Sequence, residues 1–500
     1  MADLVNRHRD IIDGVLSCFD RVVIRGRLPE ISHGKAMLNY LRRHEIPLEL
    51  FRDRFAKLKD EVKSHTQRIA ADHGVSIDWV RSKRFRKDDR VKEILSERGR
   101  HPGLVHIISA MESLKTFTIC QNSKGKPYLK ARNGHCGHYY FYFIDPELGL
   151  CYFRTPTWAP YHLQFYFNAH NWLAGMLEKE GIKFTLVENA FTHIADYQRA
   201  EEIVGSMSMD DVHAKLNHYA EMFLPVLRHF DTAIQWSIMQ IEMATDIIFK
   251  SEEALAPVYE NLIRTAVVDV KSENVGAFFG RKIDGNFRGE IDTQFSTTVK
   301  GTCIRHHMGL ASIKMYDKFG RVLRIETTVN DVGFFKHRRM VHHRDGTRSM
   351  KVAPVRRTIY SIPAMSEIMV AANRRYLDFI SAMDDPSSGS RNLDKLGLPV
   401  RENGRSNRGF NFFLHDDLKV MVSILRGEFN ISGFRNRDLQ QLLGKKVHQV
   451  SRIIKRLHLH GLIKKVAGTY KYYLSKLGKA ALVCALHIRE RLLIPTLALT

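Results

Sequence analysis

The chain has 500 residues, of which 44% are hydrophobic and 26% are charged, so we expect several globular domains and neither a disordered nor a fibrous protein. Lysine and arginine number 77 against 54 acidic residues, and the net charge of +23 favours a polyanionic partner, with nucleic acid as the first candidate. Residues 1–20 carry acidic groups where a signal peptide would be apolar, and no apolar run approaches the roughly 20 residues of a membrane span. With six cysteines and no CxxC pair, the sequence predicts a cytoplasmic protein with reduced thiols and no membrane partner.

The predicted fold is a multidomain α+β protein that begins with a basic, mostly helical region at 1–102. Val22, Val23 and Ile24 indicate one early strand in this region. The spaced apolar residues of 48–73 are typical of a long helix. We therefore expect this region to stand apart from the strand-rich part of the chain that follows.

Residues 103–383 are predicted to form a strand-rich α+β region with acidic helices. Runs with the texture of strands lie at 104–108, 139–144, 150–154, 302–308, 312–316 and 322–329. Short turns separate the last three, which predicts an antiparallel meander. Between 190 and 260, twelve acidic residues outnumber four basic ones, so we expect helices that face away from a polyanion. From 300 to 360, fourteen basic residues outnumber four acidic ones, which indicates a contact surface.

A linker is predicted at 384–408, because the sequence DDPSSGS opens a polar stretch there. Residues 409–500 are predicted to form a separate domain, and from 401 to 500 nineteen basic residues outnumber six acidic ones. In this domain a short helix ends at Gly444, a second helix occupies 447–460, and strands follow at 462–466 and 470–474.

The helix at 447–460 has two contrasting faces. Its apolar stripe consists of Val447, Val450, Ile453, Ile454 and Leu457. A basic face opposite a buried stripe suits docking in the major groove of DNA. The segment resembles the winged helix-turn-helix of MarR-like transcriptional regulators, including the HGLIKK step into the wing and the LSKLGK step out of it. The predicted nucleic-acid contacts are Lys446, Gln449, Arg452, Lys455, Arg456 and, in the wing, Lys471.

Residues 301–331 read GTCIRHHMGLASIKMYDKFGRVLRIETTVND and resemble the central meander of plasmid and phage replication initiation factors. The resemblance implies that Tyr316, in IKMYDK, is a nucleophile and that Glu326, in LRIETT, binds a metal or orients the base. Families of this kind cut one DNA strand by tyrosine attack on a phosphate, with a divalent ion such as Mg²⁺ or Mn²⁺. Alternate side chains of neighbouring strands share a face, so His306 is a candidate metal ligand beside Glu326. The candidate phosphate contacts of this region are Arg305, Lys314 and Arg324.

Other interpretations of these residues stay open. Tyr316 could be a half-buried strand residue, with Glu326 paired across the sheet to Arg324 or Arg305. Carboxylates for a two-metal nuclease are also available in Asp20, Asp145 and Asp269. The aromatic run at 138–143, with the proline-rich loop at 155–160, predicts either a stacking platform for bases or core packing. No Walker loop and no GxGxxG step occurs, so no nucleotide cofactor is expected.

These observations predict a DNA-binding protein of the replication-initiator or transposase type that nicks or joins DNA. The expected cofactor is a divalent metal, Mg²⁺ or Mn²⁺. DNA is favoured as the partner, and RNA is the alternative. A non-enzymatic transcriptional regulator, or an RNA-binding protein of a ribonucleoprotein complex, is the competing prediction. The sequence does not define an oligomeric state.

Overall fold

The computed structural model describes residues 1–80, 84–283, 289–298, 301–382 and 386–498, and it is a mixture of helices and strands. The chain divides into two compact units, Met1–Ala382 and Met383–Thr500. All six cysteines are free thiols. Within the described ranges, no helix combines the length and the apolar character that crossing a bilayer requires.

An eleven-stranded sheet forms the centre of the first unit. The strands of this unit are β1 (Ile12–Arg27), β2 (Ile77–Trp79), β3 (Gly103–Gln121), β4 (Pro127–Asp145), β5 (Gly149–Pro156), β6 (Leu163–Phe167), β7 (Phe184–Val187), β8 (Ala190–Ile194), β9 (Gln235–Phe249), β10 (Ile291–Thr298), β11 (Gly301–Met308), β12 (Ala311–Lys318), β13 (Val322–Val329), β14 (Lys336–His342) and β15 (Arg348–Pro354). The order across the central sheet is β10-β11-β12-β13-β9-β1-β6-β5-β4-β3-β2. Among the strands of the described residues, the short β2 alone pairs in parallel, whereas β7–β8 and β14–β15 form separate hairpins.

Helices connect these strands and cover the sheet. They are α1 (Ala2–Arg7), α2 (Gly34–Arg43), α3 (Phe51–Asp72), α4 (Lys87–Arg98), α5 (Ala169–Lys179), α6 (Tyr197–Gly205), α7 (Met209–Phe223), α8 (Glu252–Val268), α9 (Ser272–Phe278) and α10 (Ile362–Ser381). One continuous cluster of buried apolar side chains joins the sheet to most of these helices. Asn373 of α10 ties this layer to the sheet, because its amide donates to the Met243 carbonyl at 3.0 Å and to the Thr245 hydroxyl at 3.1 Å.

The central sheet consists of two halves with the same order of elements. In each half a long strand, β1 or β9, precedes helices and then a four-stranded meander, β3–β6 or β10–β13. The last strand of each meander returns to pair with the long strand of its half. Because β1 and β9 pair antiparallel with each other, an approximate two-fold axis normal to the sheet relates the two halves.

The predicted meander at 302–329 is confirmed, since β11, β12 and β13 pair antiparallel in sequence. Two other predictions differ from the structure. Residues 1–102 are not a separate helical region, because β1 lies at the centre of the sheet. The acidic segment 190–260 is not helical throughout, because β9 lies next to β1, with most of its residues buried. A buried central strand lacks the polar alternation by which strands are recognised in a sequence.

The second unit contains α11 (Pro386–Gly397), α12 (His415–Ile424), α13 (Gly427–Ser432), α14 (Asn436–Leu443), α15 (Val447–Leu459), α16 (Lys476–Ile488) and α17 (Ile494–Ala498), with a π-helical turn at Arg489–Leu493. Its short strands are β16 (Val400–Glu402), β17 (Arg405–Asn407), β18 (Ile463–Lys465) and β19 (Tyr472–Leu474). Gly444 ends α14 at φ 64°, a left-handed conformation that glycine adopts without strain. The order α14, α15, β18, β19 is the predicted one.

The predicted linker at 384–408 is shorter than expected. Asp384 and Asp385 lie outside the described residues. From Pro386 onwards the chain forms α11 and the β16–β17 hairpin, and Leu396 belongs to the apolar core of the second unit. The backbone N–H of Phe410 also donates to the Leu396 carbonyl at 2.7 Å. Most of the segment is therefore part of the C-terminal unit.

Leu396→Ala tests whether α11 belongs to that unit. The Leu396 side chain is 3% exposed, so its truncation should lower the free energy of unfolding of the C-terminal unit by about 2–5 kcal/mol. Leu393→Ala, at a position 61% exposed on the same helix, should change it by less than about 0.5 kcal/mol. Native-state hydrogen exchange of amides in α12 and α15 of the full chain measures both changes. Equal effects of the two substitutions would mean that 386–397 is a linker.

Candidate active site

Charged side chains converge where β12, β13, β9 and β1 lie side by side. The strand register places Tyr316 opposite Arg324 and Lys314 opposite Glu326. Across the next pair of strands, Arg324 is opposite Asp246. Residues directly opposite each other in a sheet project to the same side, so this cluster occupies one face. It is the face opposite to the one that Asn373 contacts.

Arg324 is the most buried member of the cluster, with no exposed surface. Its guanidinium donates two hydrogen bonds to the Asp246 carboxylate, each 2.6 Å long, and one of 3.3 Å to Asp20. A further bond of 2.7 Å reaches the Asn189 carbonyl. Burial disfavours the charged guanidinium, yet Asp246 and Asp20 raise its pKa well above the ordinary value. Arg324 is therefore a structural cation and cannot reach a phosphate, contrary to the prediction.

Asp20 enters the cluster through an irregularity in β1. The register between β1 and β9 shifts between Phe19 and Arg21, which leaves Asp20 as the extra residue of a bulge. His170 of α5 lies 3.6 Å from its carboxylate. Burial alone would raise the pKa of Asp20, but Arg324 and His170 lower it to about 2. Asp20 is therefore ionised throughout the physiological range.

Glu326 is fully buried and lies between three other ionisable groups. The Tyr316 hydroxyl donates to Glu326 Oε2 at 3.0 Å, and Lys314 Nζ lies 2.5 Å from Oε1. Glu242 is the third neighbour. Burial first, and then the adjacent Glu326 charge, raise the pKa of Glu242 to about 7. Two carboxyl groups this close resist simultaneous ionisation, so Glu242 retains its proton well above the usual pH.

Three carboxylates of this cluster, Asp20, Glu242 and Glu326, are arranged as a metal site requires. One oxygen from each lies within 4.8 Å of the other two. Oxygen donors of this kind suit Mg²⁺ and Mn²⁺, and β1, β9 and β13 supply one each. The donor set therefore fits a divalent ion. Among the described residues, the other group with this spacing is Glu30, His44 and Asp231, two of which are exposed.

Lys318 adds a second cation at the edge of the cluster. Its side chain is half-buried and contacts the Asn189 amide oxygen. Burial, with repulsion from Arg324, lowers its pKa to about 8. Tyr316 is affected in the opposite direction, since burial and the Glu326 charge raise its pKa well above the ordinary value. The phenol is therefore neutral, and its proton is directed at Glu326.

The structure brings together some of the predicted site residues and separates others. Tyr316, Glu326 and Lys314 are in contact, and Arg305 faces the same side because it pairs with Lys314. His306 does not join them. It is fully buried on the helix-covered face, where its ring contacts Thr293 at 2.9 Å and Tyr376 at 3.3 Å. His306 is therefore not placed to share a metal with Glu326.

The alternative carboxylates also separate. Asp145 lies at the end of β4, where Lys215 and Tyr219 donate to it, and it is in neither carboxylate group. Asp269 follows the end of α8 and is in neither group as well. Of the predicted triad, only Asp20 belongs to the site. Its actual partner Glu242 was not predicted, because 222 positions separate the two in the sequence.

The aromatic strand β4 is core on both faces. Tyr139, Phe141 and Phe143 belong to the main apolar cluster. Tyr140 and Tyr142 belong to a second cluster formed under α4. Neither face is free to stack bases, so core packing is the interpretation that holds. The loop at 155–160 precedes the strand β6.

In the C-terminal unit, two of the predicted contacts are engaged within the fold. Arg456 donates to both Asp417 oxygens, at 2.6 and 2.8 Å, and its guanidinium lies 3.8 Å from the centre of the Phe410 ring. Lys455 Nζ is 2.7 Å from Glu402 of β16. Arg456 is therefore a structural residue, in contrast to its predicted role.

The other predicted contacts of this unit remain at the surface. Gln449 accepts a hydrogen bond of 3.0 Å from the Lys446 backbone and so caps α15. Arg452 is exposed, with no ion pair among the described residues. Lys471 lies 5.8 Å from the Tyr473 ring in the β18–β19 hairpin. Lys446, Gln449 and Arg452 thus stay accessible to a ligand.

Comparisons of the chain with protein-family models, with curated proteins and with solved structures found no match. The resemblances to replication initiators and to MarR-like regulators therefore stay predictions.

The raised pKa of Glu242 gives the first unit a pH dependence of defined sign. Its folded-state pKa of about 7 lies above the ordinary 4.5, so its contribution to stability is full below pH 4.5 and is lost as the pH rises through 7. Glu242→Gln removes this titration. Between roughly pH 4.5 and pH 8, the free energy of unfolding of the wild type should fall by about 1–3 kcal/mol relative to the variant.

Chemical denaturation of both proteins across this pH range measures the difference. Glu97→Gln, an exposed position on α4, is the matched control and should follow the wild type. Parallel curves for the wild type and Glu242→Gln would contradict the carboxyl pairing of Glu242 with Glu326.

Proposed function

We propose that the protein binds DNA and cuts or joins one strand through Tyr316. One observation carries the proposal: the Tyr316 hydroxyl donates to Glu326 at 3.0 Å, on a sheet face where three carboxylates converge. A nucleophile hydrogen-bonded to a base, beside groups that hold a cation, is the arrangement that phosphodiester transfer uses.

In the proposed reaction, Tyr316 Oη forms a bond to phosphorus and the bond to the departing sugar oxygen breaks. The phenolic proton passes to Glu326, which already accepts it as a hydrogen bond. Because the pKa of Tyr316 is raised by burial, its proton has to leave as the attack proceeds. The departing oxygen takes up a proton from the solvent. In the reverse reaction a sugar hydroxyl attacks the phosphorus, its bond to Tyr316 Oη breaks, and the phenol takes back its proton from Glu326.

The remaining charged groups have separate roles in the proposal. Lys318, and Lys314 beside the Tyr316 ring, offset phosphate charge. Asp20, Glu242 and Glu326 would hold a divalent ion, which supplies a Lewis acid for the phosphoryl oxygens. Asp246 and His170 act indirectly: Asp246 holds Arg324 in position, and His170 holds Asp20.

The C-terminal unit supports the DNA-binding part of the proposal. Its α14 and α15 with the β18–β19 hairpin follow the order of a winged helix-turn-helix, the resemblance noted in the sequence. Lys446, His448 and Arg452 are exposed and unpaired among the described residues of the α15 face. Cations on such a face suit a phosphate backbone and base edges.

A non-enzymatic DNA-binding regulator is the second candidate. It is favoured by the engagement of Tyr316 and Lys314 with Glu326, since a closed network of this kind also serves as a purely structural cluster. The two candidates differ in whether a strand is cut, which experiment decides.

Tyr316→Phe should abolish strand cleavage and any covalent protein–DNA adduct, because only the nucleophilic oxygen is lost. Strand cleavage is measured as the conversion of supercoiled plasmid to nicked circles with Mg²⁺ or Mn²⁺. The covalent adduct is measured by denaturing electrophoresis of labelled DNA. Affinity should change by no more than about tenfold, since one hydrogen bond is worth about 0.5–1.5 kcal/mol. Glu326→Gln should reduce cleavage in a way that added metal partly restores.

Tyr376→Phe is the matched control, because it removes a hydroxyl of α10 that contacts His306 on the opposite face of the sheet. It should cut like the wild type. Cleavage by Tyr316→Phe at the wild-type rate would rule out this nucleophile. Absence of cleavage by the wild type with either metal would favour the regulator.

Arg452→Glu and Arg456→Gln should separate binding from folding in the C-terminal unit. Arg452 is exposed, so its reversal should weaken binding to duplex DNA about tenfold or more without unfolding the unit. Arg456→Gln breaks a buried ion pair with Asp417 and should cost about 3–5 kcal/mol of stability. Binding isotherms and thermal unfolding of each variant make the comparison. Equal loss of stability in both would contradict the assignment of Arg452 as a contact.

A further inference from the structure

The β14–β15 hairpin stands apart from the central sheet as a two-stranded ribbon. Seven residue pairs join its strands, from Lys336 with Pro354 to His342 with Arg348. None of the residues of either strand is buried. A ribbon of seven residues per strand is about 23 Å long. Because an isolated two-stranded hairpin is only marginally stable in water, a ribbon without a core of its own points to a partner.

The ribbon is strongly basic. Its six lysine and arginine residues are Lys336, Arg338, Arg339, Arg344, Arg348 and Lys351. Asp345 is its only acidic residue, and Thr347 in the turn donates to it at 2.7 Å. Among the described residues, no carboxylate forms an ion pair with any of the six cations. The positive charge of the ribbon is therefore available to an external anion.

The root of the ribbon is fixed to the rest of the unit. The Val355 N–H donates to the Phe335 carbonyl at 2.9 Å, and both side chains are buried. Arg357, after the ribbon, makes a two-bond ion pair with Asp331, before it. The ribbon thus projects from a rigid base, ten residues after Glu326 in the chain.

One face of the ribbon combines cations with apolar groups. Arg338, Met340 and His342 project to the same side as their partners Val352, Met350 and Arg348. Met340 is 43% exposed, Met350 is 49% exposed and Val352 is 70% exposed. Cations therefore flank a central pair of methionines. Phosphates beside a groove, with base edges on its floor, have the complementary pattern.

We propose that the β14–β15 ribbon inserts into the major groove of duplex DNA. The groove of B-form DNA is about 12 Å wide and admits a two-stranded ribbon, whereas the deep, narrow groove of A-form RNA does not. Arg338, Arg344 and Arg348 contact backbone phosphates, and Met340 and Met350 contact base edges. This contact rests on DNA as the partner in the proposed function, and it is separate from cleavage at Tyr316.

A basic cavity continues this surface at the root of the ribbon. Its volume is about 590 Å³, and its cations are Arg281, Lys282, Lys336 and Arg375. Glu367 is the one carboxylate among its lining residues. Burial lowers the pKa of Arg375. Phosphates that flank the inserted ribbon meet a positive surface here.

Replacing three ribbon cations tests the proposal. Arg338→Gln, Arg344→Gln and Arg348→Gln, combined in the full chain, should weaken binding to a labelled duplex DNA about tenfold or more at moderate salt. The slope of log K against log salt should become less negative by about 2–3, since each phosphate contact contributes about −0.9 to the slope. The matched control is Arg52→Gln, Lys57→Gln and Arg68→Gln, which removes three exposed charges from α3. The control should bind like the wild type.

Met340→Ser with Met350→Ser should weaken duplex binding and leave the salt slope unchanged, because only contacts to the groove floor are lost. Double-stranded RNA of the same sequence should compete poorly. Wild-type affinity and slope in the three-arginine variant, or equal competition by the RNA, would overturn the groove assignment. A chain that binds duplex, cuts none of it and loses affinity with the ribbon cations would overturn the proposed cleavage and support the ribbon contact.

Discussion

The organisation of the first unit depends on a buried guanidinium at the junction of three strands. Arg324 of β13 binds Asp246 of β9 and Asp20 of β1, and it also reaches the carbonyl of Asn189, which precedes β8. Removing an arginine from water costs several kcal/mol, which only complete pairing offsets. Arg324 satisfies this condition with Asp246 on two bonds. Any shift of one strand by a residue would leave at least one buried charge unpaired, so the network fixes the register of β13, β9 and β1 together.

The same network explains how three carboxylates can lie within 4.8 Å of one another. Carboxylates at that spacing repel one another, and neighbouring cations have to offset the repulsion. Arg324 offsets Asp20, and Lys314 offsets Glu326. Glu242 adds no negative charge below about pH 7, because its raised pKa keeps the carboxyl group protonated. A divalent ion bound by the three carboxylates would offset the negative charge that the Glu242 proton offsets in its absence. Binding of the ion and release of the proton are therefore coupled.

Local patterns in the sequence predicted the part of the fold that is local. The meander of β11 to β13 was predicted because alternation and short turns mark its strands. β1 was predicted as a strand from Val22, Val23 and Ile24, but its central place was not, because its partner β9 begins 223 residues later in the chain. The bulge at Asp20 has no signature in the sequence. Helical spacing placed Arg456 correctly on the polar face of α15. Its guanidinium nevertheless binds Asp417 of α12, which lies 39 residues earlier in the chain. The features that the sequence did not predict depend on contacts between residues that are distant in the chain.

The pairing of β1 with β9 has a consequence for how the chain is made. The partner of β1 on one side is β6, but its other partner begins 223 residues after β1 begins. At about 5–20 residues per second, translation leaves that edge open for roughly 10–45 s. An open edge is a template for pairing with other chains. The charged side chains of Asp20, Arg21, Arg25 and Arg27 along β1 would discourage such pairing until β9 emerges from the ribosome and closes the sheet.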